Sequence, residues 1–183
     1  DANGADSDNI TLLAIAQLQP VRTWNSLLER SLYHAERLQD AAERSGGALR
    51  LIRDARDVRA VLSARAAGEP VTGALFSAEG LQSLEGRQAN LARLYDAGLR
   101  MAGLTHFFDN ELAGSMHGLA KGGLTPLGRA VVREMEQRGI IVDIAHCSHA
   151  CVAEVLAMAR RPVVSSHGGV QATCGVNRNL TDE

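Results

Sequence analysis

Ile140-Ile141-Val142-Asp143-Ile144-Ala145-His146 is an apolar run that ends in one imidazole, with Gly139 before it and a helical stretch, 148–159, after it. A short apolar run between a helix stop and a helix start reads as a strand buried on both faces. The arrangement recurs in both directions. Residues 99–105 form a strand that delivers His106, residues 71–78 one that delivers Glu79, and residues 162–165 one that runs through Ser166 into His167. Nearer the start, 48–52 and 10–17 also read as strands, with a long amphipathic helix over 21–44 between them.

Further helices are expected at 55–67 and around 87–96, and one opening at Thr125-Pro126 and ending at Gly139. Gly46-Gly47 stops the first long helix, and Thr125 at the N-cap with Pro126 at the first helical position is a strong start signal. Strands alternating with helices of this length predict a parallel sheet. Four ionisable residues at four strand C-termini add position to that pattern, since this end of an α/β barrel carries the active site. The fold class is therefore α/β, a partial (β/α)8 TIM-type barrel with roughly strands two to six present. The 183 residues fall short of the roughly 250 of a complete barrel. Residues 1–183 are expected to form a single incomplete barrel domain that lacks the first strand and the last strands.

Composition narrows the functional classes. Hydrophobic residues make up 45% of the chain and charged residues 22%, values of an ordinary globular domain. The net charge of −2 is spread along the chain, which gives no footprint for nucleic acid or anionic lipid and favours a small substrate. Cys147, Cys151 and Cys174 form no CxxC pair and read as small buried thiols. No run of about 18 apolar residues occurs, so no transmembrane segment is expected in this chain. The polar start, residues 1–9, has no apolar signal-peptide region; with an N-terminus that reads as missing, the compartment stays open between cytoplasm and periplasm.

A glutamate and histidines converging on one barrel mouth supply hard oxygen and borderline nitrogen donors, which suit Zn2+ and its first-row neighbours. A carboxylate can also bridge two metal ions, whose shared water becomes a hydroxide near neutral pH while the metals polarise a scissile carbonyl. Amide hydrolysis needs both effects.

Several motifs in order then resemble one family. Phe76-Ser77-Ala78-Glu79-Gly80 followed by LRMAGLTH at 99–106 resembles the Glu-Gly strand end and the (V/M)RYLTLTH strand of the renal (membrane) dipeptidase family, and the spacing from Glu79 to His106, 27 residues, agrees. Gly123-Leu124-Thr125-Pro126-Leu127-Gly128 resembles the family's GLTxFG helix start, and Val142-Asp143-Ile144-Ala145-His146 its (V)D(L)(S/A)H strand. Ser166-His167, Cys174 and Asn177-Arg178-Asn179 resemble SHS…C…RRN. The resemblance implies a dipeptidase with two zinc ions, in which Glu79 bridges the metals and His146 and His167 bind one of them. It further implies that His106 contacts substrate and the oxyanion of the tetrahedral intermediate, and that Arg178 holds the substrate carboxylate or stabilises developing charge. The family's first-strand His-x-Asp pair and last-strand aspartate have no counterpart here; Leu81 replaces a second glycine and Gly168 a serine. The 183-residue chain by itself is accordingly expected to show no appreciable dipeptidase activity with added zinc.

The expected partner is a small peptide or amide, with a homodimer as the candidate assembly. Rival readings are another metallohydrolase of the same barrel class, acting on N-acyl amino acids, lactams or esters, and a truncated barrel that only binds a partner. The loop 107–111 holds two phenylalanines and three polar residues directly after His106 and either shapes the substrate pocket or simply packs. Asp109 and Asn110 are its polar contacts for a peptide's amino end, and Asn110 is counted among the substrate-binding residues. His149 falls in the first turn of the next helix and His34 on an exposed helix face, so neither is expected to bind metal. His117, in a loop placed to cover the site, reads as structural or solvated. Asp143, at odd parity to His146 along the strand, is expected to face away from the metal and pair behind the sheet.

Overall fold

The structure, a computed structural model, describes residues 11–176 and 178–181. Strands β1 (Leu49–Leu51) and β2 (Thr72–Ala74) pair in parallel across the crossover helix α3 (Ala55–Ala66). Strands β3 (Phe76–Ala78), β4 (Leu99–Gly103) and β5 (Ile141–Asp143) form a second parallel sheet in chain order, with α4 (Asn90–Asp96) and α5 (Pro126–Arg138) as crossovers. Helix α6 (His149–Met158) follows β5, after which Val164 returns beside Asp143 as a single parallel bridge. Each crossover sets the next strand beside the last. The result is a mixed α/β arrangement with parallel strands throughout, as the alternating pattern predicts.

Four boundaries differ from expectation. The strand expected at 71–78 breaks at Leu75: its first half pairs back onto β1 and its second half forward onto β4, with an irregular register at Phe76 and Ser77. A strand that changes partners has to bend, and a local break in the ladder is how it bends. The strand expected at 10–17 is instead helix α1 (Thr11–Ala16), with residue 10 outside the described residues. A short apolar run does not itself choose between strand and helix, and here Leu and Ala, good helix formers, lie where no strand offers a ladder. The long helix begins only at Leu27, as α2 (Leu27–Arg44), because Ser26 caps it by accepting from the Glu29 amide; residues Val21–Thr23 form a separate 3-10 turn. The stretch 162–165 contributes one bridge rather than a strand, held by Ile144 N to Val164 O at 2.8 Å and Val164 N to Val142 O at 3.0 Å.

Helix α5 follows its sequence signals closely. The Thr125 hydroxyl accepts from Gly128 N at 3.0 Å, Pro126 opens the helix, and Gly139 closes it at φ 73°. Gly128 is required by close approach, since a Cβ there would lie 2.0 Å from the Leu112 carbonyl oxygen. That same carbonyl accepts from Thr125 N, which fastens the helix start to the loop after β4. The main hydrophobic core lies between the second sheet and α4, α5 and α6, with Leu81, Leu84, Leu91, Leu94, Leu99 and Leu104 almost wholly enclosed. Leu81, which stands where the family has glycine, thus fills core space.

Candidate metal centre

Three histidines are placed by one rule. His106, His146 and His167 are each the third residue past the last sheet-paired residue of their segment, Gly103, Asp143 and Val164 respectively. Glu79 directly follows β3. Because the segments are parallel neighbours, equal offsets bring the side chains to one end of the sheet. The Glu79 Oε1 lies 3.0 Å from His146 Nε2, 3.2 Å from His167 Nε2 and 3.6 Å from His106 Nε2. His146 Nε2 and His167 Nε2 are 2.8 Å apart.

This donor set suits a borderline divalent cation: one carboxylate and several imidazole nitrogens aimed at a common point. Two groupings are geometrically available. Glu79, His106 and His146 offer ligand atoms within 4.8 Å of one another, whereas His167 stands closer to Glu79 than His106 does. The shorter distances pair Glu79 with His146 and His167. His106 then keeps its Nε2 beyond hydrogen-bond distance of the carboxylate. Burial, the largest influence, lowers the pKa of His146 against the opposing pull of Glu79, which favours the neutral imidazole that binds metals.

The cluster is held by backbone features that the sequence does not announce. His146 has φ 63°, the left-handed region, which costs a non-glycine residue about 1 kcal/mol or more and recurs at functional sites. Its carbonyl is pinned by the Thr105 hydroxyl at 3.1 Å and by Met116 N at 2.9 Å. Asp143 is buried, and its Oδ1 accepts from Ala145 N and from Ser166 N, both at 3.0 Å. Those amides belong to the residues just before His146 and His167, so one buried carboxylate ties together the two segments that carry these imidazoles.

The loop 106–123 is equally constrained. Asp109 accepts from the amides of Ser115, Ala120 and Lys121. Asn110 donates to the Leu104 carbonyl and accepts from Leu112 N and Ala113 N. Both polar groups expected near substrate are thus engaged in shaping their own loop. The Ser115 hydroxyl donates to the His106 carbonyl, and the Ser148 hydroxyl to the Gly122 carbonyl. Gly114 lets two loop strands cross, because a Cβ there would lie 2.3 Å from the Gly122 backbone.

His117 is at the site rather than solvated: its ring centroid lies 5.4 Å from that of His146, and its Nε2 is buried without a hydrogen-bond partner among the described residues. Arg178 is exposed. Asn179 beside it is buried and donates to the Cys174 carbonyl at 2.8 Å, clamping the loop that presents Arg178; Asn177 lies outside the described residues. His149 and His34 are exposed, and His34 shares with Glu79 the lining of a cleft of about 300 Å³. Cys147 and Cys151 are buried, but Cys174 is exposed. No described helix is long and apolar enough to cross a membrane.

Comparison with known proteins agrees with this geometry. The chain is 38% identical over 111 residues to the dipeptidase aclJ of Aspergillus oryzae, covering 60% of this chain and 26% of that protein. An uncharacterized dipeptidase of Schizosaccharomyces pombe is 33% identical over 111 residues, again 60% of this chain and 27% of the relative. Among solved structures, the probable dipeptidase PvdM of Pseudomonas aeruginosa superposes with a TM-score of 0.73 at 26% identity, over 81% of this chain and 38% of the other. A metallo peptidase from Rhodobacter sphaeroides, liganded with a phosphinate mimic of the dipeptide L-Ala-D-Ala, gives 0.68 at 25% identity, over 81% and 42%. The chain therefore spans about a quarter of those curated relatives and about two-fifths of those solved chains. The family model for membrane dipeptidase, peptidase family M19, matches residues 10–183, and the chain belongs to the membrane dipeptidase family.

Proposed function

We propose that the protein carrying this chain is a zinc-dependent dipeptidase that hydrolyses dipeptides or related small amides, and that its parallel strands are an arc of a (β/α)8 barrel. The observation that carries the reading is the Glu79 carboxylate with three imidazole Nε2 atoms at 3.0, 3.2 and 3.6 Å, at the C-terminal end of parallel strands. Glu79, His146 and His167 would hold the zinc, in a centre that the family resemblance makes a two-ion one. Zinc bound there supplies Lewis acidity toward the scissile carbonyl and lowers the pKa of a water to near neutrality.

The remaining roles fall to the chain's own groups. His106, with its Nε2 3.6 Å from Glu79 Oε1, would stabilise the oxyanion as the carbonyl becomes tetrahedral. Arg178, exposed on a clamped loop, offers a planar fork to the substrate's carboxylate. Asn110 acts on substrate only through the shape of its loop. The test is hydrolysis of a dipeptide panel, with N-acyl amino acids, lactams and esters alongside, by the purified protein. Dipeptide turnover that is lost on chelation and restored by Zn2+ supports the reading; metal-independent turnover, or activity confined to the non-peptide substrates, overturns it.

A further inference from the structure

Two ring nitrogens of the cluster are buried and have no hydrogen-bond partner among the described residues: His146 Nδ1 and His117 Nε2. They sit on neighbouring imidazoles, whose centroids lie 5.4 Å apart with the planes inclined at 49°. His146 turns its other nitrogen, Nε2, to Glu79 at 3.0 Å and to His167 at 2.8 Å, so Nδ1 is left for a partner outside that group. The backbone ties the two rings to one frame. Met116 N donates to the His146 carbonyl at 2.9 Å, Ser148 N to the Gly114 carbonyl at 2.9 Å, and His117 N to the Ser115 hydroxyl at 3.1 Å. Phe107 packs on both rings, its centroid 5.3 Å from His117 and 5.7 Å from His146. An unpaired buried polar atom is costly, and two on adjacent rings can relieve each other.

We infer that His117 is a positioning residue of the metal centre: with its own proton on Nδ1, it accepts the Nδ1–H of His146 at Nε2, directly or across one water, and so fixes the angle at which His146 presents Nε2. The inference rests on the reading of His146 as a zinc ligand. A ligand imidazole binds metal through the nitrogen that carries no proton, so the proton of neutral His146 belongs on Nδ1 and needs an acceptor. The Thr105 hydroxyl and the Met116 amide beside it are donors already spent on its carbonyl. Of the rings around His146, those of His106 and His167 turn Nε2 toward Glu79 and that of Phe107 has no polar atom. Among the described rings there, only His117 holds a further buried nitrogen without a partner.

The test measures Zn2+ affinity of the purified full-length protein by competition with a chromophoric chelator, with thermal unfolding of the metal-free protein alongside. His117→Phe keeps a ring against Phe107 and His146 but has no nitrogen. It should weaken zinc binding about 10- to 100-fold, the usual scale for removing the partner of a ligand imidazole, with the unfolding temperature unchanged. His117→Gln, whose Oε1 can stand where Nε2 stands, should recover most of the affinity. Unchanged affinity in His117→Phe, or equal losses in His117→Phe and His117→Gln, overturns the inference while the zinc reading stands. A loss matched by a lower unfolding temperature of the metal-free protein also overturns it, since packing then accounts for both. Failure of the unaltered protein to bind Zn2+ overturns the zinc reading and this inference with it.

Discussion

The β3–β4–β5 side of the molecule and the β1–α3–β2 side are built from the same strand-helix-strand unit, but they are enclosed to different depths. Around β4 and β5, side chains such as Leu99, Leu104, Val131, Val132 and Met135 have no measurable exposure. Around β1 and β2 the core is Val61, Ala64 and Val71 with Ile52 against it, and Val58 and Leu62 on the same helix remain exposed. All four ionisable residues of the metal cluster follow strands of the enclosed sheet or its single-bridge extension at Val164. A site that needs several groups placed to within fractions of an ångström is supported where neighbours leave little room to move.

The largest effect belongs to the group that joins the strands. Glu79→Gln should lower kcat for dipeptide hydrolysis by at least about 10³-fold, since carbonyl polarisation and water activation both depend on the metals it would hold. His146→Ala and His167→Ala should reduce bound zinc as well as rate, measured by metal analysis; full zinc content with near-normal turnover would remove these residues from the centre.

Leu104→Ala and Val61→Ala test the two sides directly. The fully enclosed Leu104 should cost about 3–4 kcal/mol in denaturant unfolding, by lost burial and a residual cavity. Val61→Ala should cost about 1–2 kcal/mol and leave zinc content unchanged. Equal losses would mean that the two sides are not packed differently.

Asp143→Ala leaves two amides without their acceptor at the ligand loops, a loss of about 2–3 kcal/mol that should appear both as lower stability and as weaker zinc binding. Asp143→Asn, which retains an acceptor oxygen, should recover most of both. If alanine lowers stability but not zinc affinity, the carboxylate supports the fold alone. Arg178→Lys should give the smallest change, about tenfold in kcat/KM for substrates with a free carboxylate, with zinc content intact, because an ammonium keeps the charge and loses the fork. An unchanged kcat/KM would leave Arg178 as a surface residue.

Periodicity and punctuation were enough to read most of the elements from the sequence. Apolar runs preceded by the helix-stopping Gly98 and Gly139, and the Thr125-Pro126 start, are local signals whose physics acts within a few residues, and they recur in β4, α5 and β5. The position of ionisable residues at the ends of successive strands was legible for the same reason, since parallel neighbours convert position along the strand into proximity. The break at Leu75, the helical rather than extended start at Thr11 and the single bridge at Val164 depend instead on which partner strand is present, and that is not a property of the segment itself. The same holds within the site. Residue type identified Glu79, His106, His146 and His167, but only the folded chain decides that His146 adopts a left-handed backbone, that Asp143 serves two ligand loops at once, and that Phe107 faces the histidines while Phe108 turns to another cleft. Each of these is set by contacts between residues far apart in sequence, where burial and unpaired amides, rather than local preference, determine the free energy.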